Sequence, residues 1–470
     1  MADQSLAIFE FDVCVPAQKF RIEYTLVEHG GFPFVPEFIL RLLKISPFPA
    51  IDVARFFGFT PKEISTALVP FFQQGHIVML EDGNISLTEK GVRLFDGGSE
   101  MPMVKSRQEH RKSFSFDVLG FSYLGSRPKS DNPRRSISLS ASAEIRSESV
   151  KFVADAFQSH IHDIYRKGDL CGQPMELHPP ELYKISQITK EKDIWFKVED
   201  GYHLNTETLH LDFSDLKGIA DSEQYISQRT NQLNALQGQN NLEPIRDFAD
   251  AIGDTQTLHL LDSGILDFSK LISLIFSSFV SGDKDEIRIL GSSQLTRNWD
   301  HIDALIKKHS SPKSSGAALQ PSSLTWIAPS THDMWGKCSR HGQALSRFAE
   351  YSNLESKGRT LFDPRLLVPL ADTHDRVSKK RAEFDSGDIF ENIHAFVESP
   401  LLSHVETIYL EESFALVIYH LVIPEIYALP IPFGFITENI SKIRKITTLV
   451  DRVLSEYTVD NQTRYLGLLN

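Results

Sequence analysis

The sequence predicts a multidomain α+β protein, and three observations carry that expectation. Residues 36–95 pass from helical to strand periodicity within one compact stretch. Residues 404–437 hold apolar strand-like runs parted by turn residues, with helical patterns before and after, which predicts a layered α/β domain. The chain has 470 residues, enough for about two to four domains.

The elements follow in order. Residues 7–14 alternate apolar and polar, as do residues 20–26 after the break at 16–19, which predicts a β-hairpin. Residues 36–45 and 49–57 carry apolar side chains at helical spacing, and the second run stops at Gly58. A third helix opens with Thr60-Pro61-Lys62-Glu63. That is a capping box with proline at the first helical position, where a missing N–H costs nothing. It runs to Gln74 and ends at Gly75. Residues 77–80 and 85–87 flank Glu81-Asp82-Gly83-Asn84 as a short hairpin, and Thr88 caps a closing helix.

Further along, Phe114, Phe116 and Val118 alternate as in a strand. Residues 126–147, with Lys105, Arg107, Arg111 and Lys112 upstream, form the one pronounced basic stretch. Val150, Val153, Phe157, Ile161 and Ile164 mark one amphipathic helix. Residues 194–198 and 202–204 read as a hairpin across 199–201, residues 220–243 as helical, and 258–261 as a strand. Residues 286–290 and 324–327 are short strands, with a loop and helix between them, and a last helix follows residue 439. The domain boundaries drawn from this are 1–100, a basic serine-rich linker with a strand at 101–148, a mixed region at 149–255, and an α/β domain at 256–470.

Net charge is −13, which excludes a protein that merely coats nucleic acid and leaves room only for a local basic patch. Cys14, Cys171 and Cys338 lie far apart, with no disulfide framework or CxxC pair, as in a reducing cytoplasm. The first residues lack a basic run ahead of an apolar one, so they do not read as a signal peptide. The apolar run near residue 420 is broken by Glu425 and prolines, and is too short to span a membrane as a helix. No Walker A, Rossmann or Gly-x-Ser-x-Gly pattern occurs, and no cofactor is implied.

Helix, helix, helix and hairpin in this order, with Leu87-Thr88-Glu89-Lys90-Gly91 after the second wing strand, resembles a winged helix-turn-helix domain. The resemblance implies DNA contact through Lys62, Ser65 and Thr66 on the third helix, with Gln73 exposed beside them. The basic stretch, with Arg134 and Arg135, is either a solvated loop or an arm that touches nucleic acid. The acidic tip Glu81-Asp82 instead favours a docking role toward protein.

Residues 404–422 resemble the His-x-Lys-x4-Asp-x6-Gly-Ser-x-x-Asn motif of the phospholipase D superfamily, which includes nuclease and phage-defence modules. His404 stands at the His position. Glu406 and Glu411 stand at Lys and Asp, and Ile418, Tyr419 and Val422 at Gly, Ser and Asn. Phosphodiester cleavage by this route needs a histidine nucleophile beside a cation. A carboxylate in the cation's place repels phosphate by about 4 kcal/mol at ~4 Å and an effective dielectric near 20. The resemblance therefore implies a degenerate site. A second fit to His-x-Lys-x4-Asp lies at His110, Lys112 and Asp117. His332, Cys338 and His341 have spacing compatible with zinc, without an evident fourth ligand, and Asp372, His374 and Asp375 read as a capped turn.

Three functions follow as expectations. The first is a non-enzymatic adaptor that binds DNA or docks protein partners in a multisubunit bacterial, anti-phage assembly. The second is a phospholipase D-like nuclease acting as a homodimer. The third is a winged-helix transcription regulator.

Overall fold

The computed structural model describes residues 5–98, 100–171, 179–214, 222–281, 286–310, 321–356, 359–370, 392–455 and 467–468. It divides into two compact units that interleave along the chain: a smaller one of Ala17–Pro128 and Ala143–Asp193, and a larger one of Met1–Pro16, Lys129–Ser142 and Ile194–Asn470. This division by contacts follows other lines than the four consecutive parts drawn from the sequence. Residues expected as linker include a core strand.

The chain opens with β1 (Ser5–Gly31), one continuous strand where a hairpin was expected. The proline of the expected break does not interrupt it, because the long ladder described below starts at Ala17, just past Pro16 and its missing N–H. Next come α1 (Phe34–Ile45), β2 (Phe48–Pro49), α2 (Ala50–Phe57) and α3 (Pro61–Gln73). Then follow β3 (Ile77–Met79), β4 (Asn84–Leu87) and the single turn α4 (Glu89–Val92). The capping box forms in full: Glu63 Oε2 accepts from the Thr60 amide at 2.9 Å, and Thr60 Oγ1 accepts from the Glu63 amide at 3.4 Å. Gly58 ends α2 in the left-handed region at φ +68°, where other residues are strained. Ile39, Leu43, Val53, Ile64, Leu68, Phe71, Ile77 and Ile85 make one core, beside a three-stranded sheet of order β2-β4-β3.

The 15-residue β5 (Met103–Asp117) pairs antiparallel with β1 from Ala17↔Asp117 to Gly31↔Met103. β6 (Tyr123–Gly125) extends this sheet. The helix expected at 150–164 is two, α5 (Ala143–Ser159) and α6 (Ile161–Arg166), parted at His160. They cover one sheet face: Phe20, Ile22, Tyr24, Phe114 and Phe116 pack with Val153, Phe157 and Ile164. The alternate side chains, Lys19, Arg21, Glu23, Arg111 and Ser113, take the other face.

β7 (Glu181–Asn205) is continuous through the expected turn at 199–201. Asp200 is buried there, bound to Arg229 at 2.7 Å, so that position belongs to the interior. The turn comes later: Tyr202–Leu204 pair with β8 (Leu211–Phe213), and Asn205 Oδ1 accepts from the amides of Glu207 and Thr208.

The larger unit continues with α7 (Glu223–Leu236), α8 (Leu242–Ile252), α9 (Thr255–Leu260) and α10 (Phe268–Ser281). The strand expected at 258–261 falls largely in α9, because Asp254 caps the segment by accepting from the Thr257 amide. The rest alternates: β9 (Glu286–Leu290), α11 (Thr296–Lys308), β10 (Ser322–Ile327), α12 (Ser339–Glu350), β11 (Phe362–Leu370) and β12 (Ile393–Val397). Then come β13 (Val405–Leu410), β14 (Phe414–Leu421), β15 (Ile431–Thr437), α13 (Ile440–Ser455) and β16 (Gly467–Leu468).

These strands form an eight-stranded mixed sheet of order β9-β15-β14-β13-β10-β11-β12-β16. The β10–β11 and β11–β12 pairs are parallel. Residues 404–422 supply the expected strand pair, with His404 just before β13. One face carries Trp326, Ile408, Leu416 and Ile418 against Trp299, Ile302, Leu345 and Phe348 of α11 and α12. The other carries Tyr419 against Phe248 of α8. Every residue of β13, β14 and β15 is buried. Among the described residues, no helix is long and apolar enough to cross a membrane.

Gly434, in the middle of β15, sets how closely two of these strands approach. A Cβ there would lie 1.9 Å from Val417 O and 2.9 Å from Ile418 Cα. Gly434→Ala should destabilise the larger unit by about 3 kcal/mol, read as a lower urea midpoint, since the strands must part to admit the methyl group.

Candidate functional site

The residues around the motif-like segment build a closed polar network. Glu406 is fully buried on β13, on the face that packs α11 and α12. Ser293 Oγ, from the loop between β9 and α11, donates to its Oε1 at 2.6 Å, and Trp326 Nε1 of β10 donates to the same oxygen at 2.8 Å. His420 Nε2, on β14, meets Oε2 at 3.1 Å. His420 Nδ1 lies 3.0 Å from His332 Nε2, and His332 Nδ1 accepts from the Met334 amide at 3.1 Å.

That last bond sets every proton in the row. An amide only donates, so His332 Nδ1 is an acceptor and its proton sits on Nε2. It then donates to His420 Nδ1, whose proton sits on Nε2 and points at Glu406. Three donors converge on one carboxylate. Ser293 gives its proton to Glu406 rather than to an imidazole, so Ser293, His420 and Glu406 do not form a nucleophile–base–orienter relay.

His404 is half-buried and belongs to an adjoining cluster. Its Nδ1 lies 3.2 Å from Asn241 Nδ2 and 3.2 Å from Thr331 Oγ1, and its Nε2 is 2.9 Å from Ser403 Oγ. The Asn241 amide nitrogen only donates, so Nδ1 accepts and Nε2 carries the proton. Burial pushes the His404 imidazole down to about 4 from its ordinary 6.5. Among the described residues, no Lys or Arg hydrogen-bonds to His404, Glu406 or His420. The neutral imidazole thus has both nitrogens engaged and no cation to hold a phosphate. Asn241 also clamps the end of β14, accepting from the Val422 amide at 2.8 Å and donating to His420 O at 2.8 Å.

Other motif positions scatter. Glu411 is exposed in the turn after β13. Tyr419 takes the opposite sheet face, its hydroxyl donating to Asp254 Oδ2 at 2.9 Å. Burial would raise the Asp254 carboxyl, but the Arg288 guanidinium bound to it brings it down to about 2. Strand alternation would put His404 and Glu406 on one face and in one site. Here Glu406 turns into the core and His404, outside the strand, keeps other partners.

The second triplet is dispersed as well. His110 stacks on Tyr24 with ring centroids 5.5 Å apart. Asp117 is fully buried and accepts from the amides of Leu119, Gly120 and Ser122 at 2.6–2.8 Å, which shapes the turn after β5. Lys112 Nζ donates to Asp169 O at 3.1 Å and lines a cleft of about 610 Å³ with Lys19, Arg21, Arg111 and Arg127.

The zinc-compatible residues do not converge. Cys338 Sγ donates to Gln294 Oε1, Gln294 Nε2 meets His341 Nδ1, and His332 faces His420. Burial raises the Cys338 thiol to about 12, which keeps it protonated. Among the described residues, no group of three or more His, Cys, Asp or Glu is placed to hold a metal. Asp372, His374 and Asp375 lie outside the described residues.

Lys62, Ser65 and Thr66 are exposed on α3 in the smaller unit, with Thr66 Oγ1 donating back to Lys62 O at 2.9 Å. Arg134 and Arg135 belong to the larger unit, so these two sets do not share one compact body. Ser65 lines an apolar groove of about 370 Å³ with Ile51, Leu68, Val69, Phe72 and Met79. Val69, Phe72 and Met79 are 44%, 36% and 58% exposed, large values for apolar side chains on one surface. Sequence reasoning missed Asn241, Ser293, Trp326, His332 and His420 as a network, since no local spacing links them. It also missed Lys19 and Arg21, which lie outside the basic stretch.

Two outcomes check this geometry. Glu406→Ala strands three buried donors and should cost about 3 kcal/mol, read by urea unfolding with tryptophan fluorescence, since Trp326 is a partner. The His404 imidazole should stay neutral well below pH 6 and titrate near 4 by NMR. Because the folded value lies below the ordinary one, its contribution to stability is full above pH 6.5 and is lost as pH falls toward 4.

Compared with known proteins, the chain matches no protein-family model and no curated protein, so its function is read from these residues and their geometry.

Proposed function

We propose that this chain is a non-catalytic adaptor: a winged-helix module that docks a protein partner, carried with a phospholipase D-like domain that has lost its chemistry. The observation that carries the reading is the apolar groove beside α3. A helix that reads DNA presents polar and basic side chains to a groove of the duplex. Here one exposed side of α3 runs through Val69 and Phe72, beside Lys62 and Thr66, and Ser65 contributes to an apolar wall.

The occupant is an amphipathic helix flanked by Lys or Arg. Glu63, next to the lining residue Ile64, and Glu81 and Asp82, just beyond Met79, stand exposed and complement basic flanks. Apolar anchors at helical spacing suit such a groove. The absence of chemistry is supported by Glu406. At the position where the motif needs a cation stands a carboxylate that three donors already occupy. A bacterial defence setting rests on the motif resemblance alone.

Full-length protein should bind a labelled amphipathic helical peptide with lysine flanks, and bind the same peptide with glutamate flanks much more weakly. Phe72→Asp with Met79→Asp should abolish binding. Equal binding of both peptides, or indifference to the double variant, sinks the docking reading. The same protein should not turn over bis-p-nitrophenyl phosphate, single-stranded DNA or duplex DNA, with or without divalent metal. Turnover that disappears on His404→Ala would overturn the non-catalytic reading.

A further inference from the structure

We infer that the polar face of the β1–β5 ladder is a binding track for single-stranded nucleic acid, holding backbone phosphates in the cleft of the smaller unit. The track shares no residue with the groove beside α3 and uses neither Arg134 nor Arg135, which belong to the larger unit. It rests on charge, register and one exposed ring.

The register gathers cations from three chain segments. Lys19 and Arg21 of β1 stand opposite Ser115 and Ser113 of β5, with Arg111 opposite Glu23, and Arg127 follows β6. Glu191 holds Arg21 at 2.6 Å and Lys19 at 3.6 Å, and Glu23 holds Arg111 at 3.1 Å. Asp169 is occupied by the hydroxyls of Tyr123 and Ser126 at 2.7 and 2.5 Å. Among the described residues, Lys112 and Arg127 have no carboxylate partner. The cleft thus sets five cations against the carboxylates of Glu191, Glu23 and Asp169, with Lys112 reaching it from the helix-covered face, opposite Ile22, where its Nζ holds Asp169 O. That excess suits phosphate oxyanions.

The surroundings permit it. The smaller unit carries 20 Lys and Arg against 21 Asp and Glu, and the larger 29 against 41. The smaller unit is therefore nearly neutral, and the chain's net negative charge belongs almost wholly to the larger unit.

Among the described residues the cleft has no aromatic lining to stack a base, and it suits phosphate rather than sequence. Further along β5 the same face carries Glu109 and then Arg107. Arg107 is on the same strand face as Arg111, four residues and roughly 14 Å away. It is exposed and lies 4.2 Å from the Tyr183 ring centroid, and Tyr183 is 51% exposed. A cationic track leading to an exposed ring is the arrangement that holds an unpaired strand, with phosphates along the track and a base on the ring. A duplex keeps its bases stacked and has none to offer Tyr183.

The test is fluorescence anisotropy of full-length protein with a labelled oligothymidylate, a duplex of equal length, and pyrophosphate as competitor. The oligothymidylate should bind more tightly than the duplex, with affinity falling as salt rises. Arg111→Glu with Arg127→Glu should weaken it about tenfold or more at low salt and flatten the salt dependence by about two phosphate contacts. Tyr183→Ala should weaken the oligothymidylate and leave the duplex unaffected. Lys62→Glu should change nothing. Arg111 and Arg127 are exposed, and an unchanged thermal melt of the double variant confirms that it is folded. The proposal is overturned if the double variant binds like the parent, if the duplex binds as well as the single strand, if binding is lost in Lys62→Glu instead, or if pyrophosphate competes as well as the oligothymidylate, which would make free phosphate the ligand.

Discussion

A carboxylate inside a sheet covered on both faces has to find its partners within the chain, and Glu406 is that carboxylate. β13, β14 and β15 are buried from end to end, so bulk solvent does not reach a charge there. Its three donors come from a loop, from β10 and from β14. Each orphaned donor would cost about 1–3 kcal/mol, so the carboxylate ties these elements into one arrangement. The requirement then spreads outward. His420 points one nitrogen at Glu406, the other must accept, His332 supplies that donor, and the Met334 amide fixes His332. A segment spaced like a catalytic motif is part of the core.

The opposite face of the same sheet solves a similar problem with opposite charges. Asp254, held low by Arg288, also receives the Tyr419 hydroxyl and the Thr257 hydroxyl. Lys442 of α13 joins this group at 3.4 Å. Polar networks on both sides tie helices to the central strands, where an all-apolar core would define their registry less sharply. This leaves surface chemistry to other places. The smaller unit has an apolar groove and a cleft lined by five cations on separate stretches of chain.

Local sequence carried much of the fold. The helices, caps and hairpin of residues 34–92 were legible because each depends on neighbours a few residues apart: Thr60 with Glu63, Gly58 at its left-handed turn, Thr88 with Gly91. The strands at 286–290, 405–421 and 431–437 were legible from apolar runs bounded by turns. Charge composition alone excluded a general nucleic-acid coat, and the letters at 406 and 422 alone removed the cation and the amide that the motif requires.

Only tertiary structure decided the rest, because it depends on pairing over long sequence distances. β1 and β7 run through residues that read as turns, since the ladders and buried pairs made elsewhere outweigh local turn preference. Residues 103–117 look like a polar linker until β1 pairs with them along their whole length. The partners of Glu406 lie 14, 80 and 113 residues away, and those of His404 include Asn241 at 163. Periodicity reports which way a side chain faces, but not what it meets there. Short-range hydrogen bonds and apolar spacing are written in the sequence. The meeting of distant charges, which turns one carboxylate into core and gathers Lys19, Arg21, Arg111 and Arg127 into a cleft, exists only once the sheets have closed.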